Sequence, residues 1–162
     1  MSETTEIEIE RRFLLKKLPS NVKWTRKLDI TQHYLSDKDA DEVVRIRRTL
    51  ETKKRKTVSV EYMHTTKTRV SDMAVIEKEV NLTYDEYYDL LLASKRKIGK
   101  YRYIKKVGKL KWEIDVFTSL NLIIAEIELP NEEHDLEIPE WLKEVMLLEV
   151  TGMHQFSNSN LS

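Results

Sequence analysis

Cysteine is absent from this chain of 162 residues, and glycine and proline occur three times each. The first absence excludes a disulfide framework, a thiolate nucleophile and a cysteine-based zinc site. The second leaves no Pro/Gly-rich linker, so one domain over residues 1–162 without internal repeats is expected. No apolar run approaches the roughly 18 residues of a membrane span. The opening residues also lack the basic region and apolar segment of a secretory leader, so an intracellular, cytoplasmic protein is expected. Neither sign of charge is in excess: 28 basic side chains face 28 acidic ones. There is then no whole-molecule field to draw nucleic acid or an anionic membrane, and any anion site must be local. A glycine-rich phosphate cradle is missing too, so a phosphorylated ligand has to be held by side chains. The histidines His33, His64, His134 and His154 have no short metal-ligand spacing.

What the chain has is charge at every second position of its strands. Glu6, Glu8, Glu10 and Arg12 alternate with Ile7, Ile9 and Phe13, broken only by Arg11. Strand side chains point to alternate faces, so these charges share one face. The stripe recurs as Arg45 and Arg47, Glu77 and Glu79, Lys100 and Arg102, then Lys111, Glu113 and Asp115, and finally Glu126 and Glu128. Such faces either coat the outside of a sandwich or line the inside of a barrel whose apolar outer face is covered by helices. Parity does not choose between them. In a closed barrel, concentrated carboxylates invite a divalent cation and concentrated arginines invite a polyanion.

Between these strands the sequence predicts a short helix near Ser20 to Leu28, strands over Ile30 to Leu35, Val43 to Leu50 and Thr57 to Met63, and a basic hairpin at Lys53 to Lys56. A helix is expected from Tyr84 to Ile98. Thr83 and Glu86 form its capping box, Lys95 to Lys97 its last turn and Gly99 its stop. A second is expected from Pro139 to Met146, where Trp141, Leu142 and Val145 share a face.

Glu8-Ile-Glu10-Arg11-Arg12-Phe13 resembles the ExExK signature of the CYTH superfamily, the triphosphate tunnel metalloenzymes, with arginine at the lysine position. Further elements follow in family order: Val44 to Arg48, Lys100 to Tyr103, Trp112 to Phe117, Ala125 to Leu129 and Glu149 to Thr151. Pro139 to Leu142 and Ser157-Asn158 resemble the short, single-domain bacterial members. The resemblance covers essentially the whole chain. It implies an α+β fold, an eight-stranded antiparallel closed β-barrel with helices packed on its outside. It also implies metal-dependent hydrolysis of a triphosphate, inorganic tripolyphosphate first and nucleoside triphosphates next. The alternatives are class IV-type adenylate cyclase chemistry and non-catalytic binding of phosphorylated ligands. The expected partner is a triphosphate-containing small molecule, not nucleic acid or membrane, with a homodimer left open.

The same resemblance assigns roles. Glu8, Glu10, Asp115, Glu126 and Glu128 are the expected ligands of Mg2+ or Mn2+. Arg12, Arg45, Arg47, Lys100 and Arg102 are the expected phosphate clamp, where arginine offers a planar fork and lysine a compact charge. Arg12, Asp115, Glu126 and Glu128 are the expected catalytic set. Glu113, Glu77 and Glu79 are read as tunnel ion-pair partners. Three positions depart from the family pattern. Glu61 aligns with a lysine, Met73-Ala74-Val75 stands where an arginine is frequent, and His154-Gln155-Phe156 replaces a basic residue. A tunnel with fewer cations follows, Lys67 and Arg69 being read as loop residues.

Overall fold

The computed structural model describes residues 2–162. It places nine strands in one antiparallel sheet: β1 (Glu3–Leu15), β2 (Arg26–Tyr34), β3 (Glu42–Lys53), β4 (Lys56–Arg69), β5 (Ala74–Asn81), β6 (Arg96–Val107), β7 (Leu110–Phe117), β8 (Ile123–Glu128) and β9 (Met146–Glu149). The order is β5-β4-β3-β2-β6-β7-β8-β1-β9, and β5 also pairs with β1. Strand β1 closes the ring by dividing its hydrogen bonds between both edges. The Glu10 N–H donates to Met73 beside β5, while the Ile9 carbonyl accepts from Leu129 beyond β8. Adjacent residues of a strand direct their N–H and C=O to opposite edges. The result is a closed eight-stranded barrel, as expected. Strand β9 continues the β5 side of β1 at Phe13 to Leu15, where Arg11 and Glu149 form a two-pronged ion pair at 2.7 and 2.9 Å. That outward pair accounts for the one break in the β1 stripe.

The charged faces point inward. The main apolar core therefore lies outside the barrel, where Phe13, Leu15, Trp112, Ile114, Ala125, Ile127 and Leu129 from β1, β7 and β8 pack under Leu142 and Val145. Helix α2 (Glu140–Lys143) supplies Leu142, Val145 follows just past its end, and the helix is shorter than its apolar face predicts. Helix α1 (Tyr84–Leu91) lies against β4 through Tyr62, whose ring is 4.8 Å from that of Tyr87. A 3-10 turn over His154–Phe156 and helix α3 (Asn158–Leu161) bring the C-terminus to one mouth. There Phe156 and Leu161 pack on Tyr34, Ile98, Phe117 and Ile124.

Two expected helical features are corrected. The capping box of α1 is present, with the Glu86 N–H donating to Thr83 and the Thr83 N–H donating to Glu86. The helix nevertheless stops at Leu91, and Arg96 to Gly99 form the start of β6 against β2. Gly99 is needed because a Cβ there would sit 2.8 Å from Thr118 Oγ1. No helix forms over Ser20 to Leu28, whose last residues begin β2. The basic hairpin turns at Lys54 and Arg55, both with positive φ of 49° and 64°.

Candidate active site

Going round the barrel, the inward residues sort into two walls. Strands β7, β8, β1 and β5 present Glu113, Asp115, Glu126, Glu128, Glu8, Glu10, Glu77 and Glu79, with Arg12 and Lys111 among them. Strands β4, β3, β2 and β6 present Lys67, Arg45, Arg47, Gln32, Tyr34, Lys100 and Arg102, with Glu51 on β3 paired to Arg26 beyond them. A cavity of about 790 Å³ runs between the walls, lined on the acidic side by Glu8, Glu10, Glu126 and Glu128 and on the basic side by Arg45, Arg47, Lys67 and Arg102.

The acidic wall is crowded with like charge. Glu10 and Glu128 are directly opposed across β1 and β8, a destabilising arrangement for two carboxylates. Burial first, then Glu126, pushes the Glu10 carboxyl up to about 7. Glu128 is raised by burial and by Glu8, Glu6 and Glu113. Glu6, Glu77 and Glu79 bring carboxylate oxygens within 4.8 Å of one another at this wall. An all-oxygen set of this kind suits a hard divalent cation.

The basic wall has the opposite surplus. Arg45 Nε and Arg47 Nε on this wall, Arg12 Nη2 on the acidic wall and Arg48 Nε on the outer face of β3 are buried without a hydrogen-bond partner, although such donors ordinarily find one. Arg12 uses its other nitrogens on Glu126 at 3.2 Å and the Phe156 carbonyl at 2.8 Å. Burial and the like charges of Arg45 and Arg102 pull the Arg47 guanidinium down to about 10. Guanidinium groups along a cavity wall suit a multiply charged anion.

Lys100 and Asp115 do not line the cavity. Both are fully buried, with Lys100 Nζ 2.7 Å from Asp115 Oδ2. Asp115 also accepts from Arg102 Nε at 2.7 Å and Nη2 at 2.9 Å. Burial lowers the Lys100 ammonium to about 8, whereas Arg102 and Lys100 overcome burial to hold Asp115 well below the usual carboxylate range. Glu113 takes the third prong of Arg102 at 2.8 Å.

Lys67 is a cation that the sequence reading put in a loop. It stands on β4 inside the barrel, 3.0 Å from both Glu8 and Glu77. Strand β4 runs 14 residues, far past the Met63 limit that alternation predicts, and this carries Lys67 inward. Glu61, aligned with a family lysine, is exposed and outside the cavity lining. Arg69, also expected in a loop, is the last residue of β4 at the rim of the cavity, where it is exposed and donates to the Ser71 and Asp72 carbonyls at 3.2 Å. Sequence reasoning also passed over Gln32 and Tyr34, at the centre of the basic wall.

A closed eight-stranded antiparallel barrel with charged inward faces defines the tunnel-barrel class of fold. Within that class the chain belongs to the CYTH family, whose domain matches residues 6–162. It is 38% identical over 90 residues to an inorganic triphosphatase of Acetivibrio thermocellus, a match spanning 53% of this chain and 55% of that protein's length. A solved structure described as an inorganic triphosphatase is 25% identical, with a TM-score of 0.61 over 95% of this chain and 93% of its own. A Pyrococcus horikoshii protein shares the fold at 23% identity and a TM-score of 0.61, covering 78% of this chain and 80% of that one.

Proposed function

We propose that the protein is a divalent-metal-dependent triphosphatase acting on inorganic tripolyphosphate, with nucleoside triphosphates as further substrates. The observation that carries this reading is one cavity with Arg45, Arg47, Lys67 and Arg102 along one wall and Glu8, Glu10, Glu126 and Glu128 along the other. The inorganic triphosphatases among its relatives support the same chemistry.

In this reading Arg45, Arg47, Lys67 and Arg102 hold phosphate oxygens along the basic wall. Arg12 reaches across from the acidic wall to the phosphoryl group being transferred. Glu8, Glu10 and Glu128 would hold Mg2+ or Mn2+, and Glu126, between Arg12 and Arg102 at 3.2 and 3.7 Å, orients both guanidiniums. The ion, when bound, would neutralise phosphate charge and favour attack by water. Asp115 and Lys100 act below the surface: Asp115 grips two nitrogens of Arg102 and fixes its direction. No enzyme nucleophile is involved.

Binding of tripolyphosphate to Arg45→Ala and Arg47→Ala tests the clamp, and each loses about tenfold or more in affinity, the worth of a charge-assisted contact. Glu8→Gln and Glu10→Gln lower metal-dependent turnover with little loss of stability. Unchanged affinity in both arginine variants would move the ligand elsewhere.

A further inference from the structure

Donor and acceptor accounting on strand β2 fixes the direction of a hydrogen bond inside the tunnel. Gln32 is fully buried. Its Oε1 lies 3.1 Å from Arg47 Nη2, and its Nε2 lies 2.8 Å from the Tyr34 hydroxyl. Arginine has no acceptor, so the amide oxygen has to face Arg47 and the NH2 has to face Tyr34. The phenol oxygen therefore accepts. Arg45, the cross-strand partner of Tyr34, is likewise only a donor. It lies near enough that the phenol and Glu77 more than offset the lowering effect of burial on its guanidinium.

Tyr34 is thus left with an O–H that neither neighbour can receive, and its side chain lines the cavity. The ring is pinned by Ile98, Phe117 and Ile124 and covered by the Arg96 guanidinium, 5.2 Å from its centroid. The hydroxyl cannot move away with its proton.

We propose that Tyr34 is a ligand-binding residue of the tunnel, donating its phenolic hydrogen to a phosphate oxygen of the bound polyanion, and that Gln32 is the positioning residue that sets this polarity. This rests on the triphosphate reading of the site. It adds a neutral donor to a wall otherwise made of cations, between Arg45 and Arg47. Gln32 works through two neighbours at once, holding Arg47 by its oxygen and Tyr34 by its nitrogen.

The test is titration calorimetry and steady-state kinetics with inorganic tripolyphosphate at fixed Mg2+ and salt. It compares the wild type, Tyr34→Phe, Gln32→Leu, the double variant and Gln32→Glu. Tyr34→Phe weakens binding and raises KM roughly tenfold, as for one hydrogen bond to a charged group, while kcat stays within about twofold. Gln32→Leu weakens binding in the wild type and has a smaller effect in the Tyr34→Phe background, because the shared donor is already gone. Gln32→Glu, which can only accept, turns the phenol proton away from the ligand and lowers affinity even should Tyr34→Phe fail to fold. Wild-type affinity in folded Tyr34→Phe or folded Gln32→Glu overturns the inference alone. So does a fall in kcat at unchanged KM, the mark of lost folded protein. Fully additive effects of Gln32→Leu and Tyr34→Phe overturn the role of Gln32. A wild type that binds no tripolyphosphate overturns the functional reading and this inference together.

Discussion

Replacing Asp115 by asparagine separates two roles for that carboxylate. It is fully buried and receives three charged donors, two from Arg102 and one from Lys100, all within 2.9 Å. Asparagine keeps the shape but removes the charge and turns an NH2 toward a guanidinium or an ammonium. Breaking a buried pair on one side costs about 3–5 kcal/mol. Lys100, already lowered to about 8 by burial, can shed its proton when its counter-charge goes, which holds the loss toward the lower end. For a chain of this size, about 2–4 °C per kcal/mol gives a fall in Tm of roughly 6–12 °C. Urea denaturation measures the stability and calorimetric titration with Mn2+ measures the metal. The structure predicts a large stability loss with metal affinity kept within about threefold, since Asp115 lies outside the cavity lining. Unchanged stability with lost Mn2+ affinity would refute this and restore Asp115 as a ligand.

Lys67→Ala removes the ammonium held between Glu8 and Glu77. It should weaken tripolyphosphate binding about tenfold while strengthening Mn2+ binding, both by calorimetry; unaltered values for both would return Lys67 to a passive role. Glu10 is raised from 4.5 to about 7, so between those values the folded metal-free protein keeps a proton that the unfolded chain has lost. Stability then falls as pH rises through this window. Metal must displace that proton, so the Mg2+-induced rise in Tm should be larger at pH 8 than at pH 6; an equal rise would exclude Glu10 as a ligand. Thr83→Ala removes the side-chain cap of α1 and should cost about 1 kcal/mol in urea denaturation with turnover unchanged.

The barrel was legible because its strands carry a period of two with charge on one face, and the order of those stripes matched a family pattern. Which face turned inward was not, since alternation is symmetric under exchange of faces. Lys67 escaped because Thr65-Thr66-Lys67-Thr68-Arg69 lacks alternation: polar residues stand on both faces of this stretch of β4. The end of α1 was misplaced for a different reason. Residues 92–99 have local helix signals, but pairing of Arg96 to Ile104 with β2 overrides propensity. Asp115 and Lys100 fit the stripe by parity, yet only packing shows that they spend their charges on each other. Gln32 and Tyr34 carry no signal of their own, because their chemistry depends on arginines one strand away.

Phosphate release from inorganic tripolyphosphate, with Mg2+ or Mn2+ and then with excess chelator, tests the central claim most directly when products are followed by phosphorus NMR. The account predicts orthophosphate and pyrophosphate appearing only with metal, and ATP giving orthophosphate without a cyclic nucleotide. Ligand-induced stabilisation with neither product formed would contradict it, as would cyclic nucleotide and pyrophosphate arising from ATP.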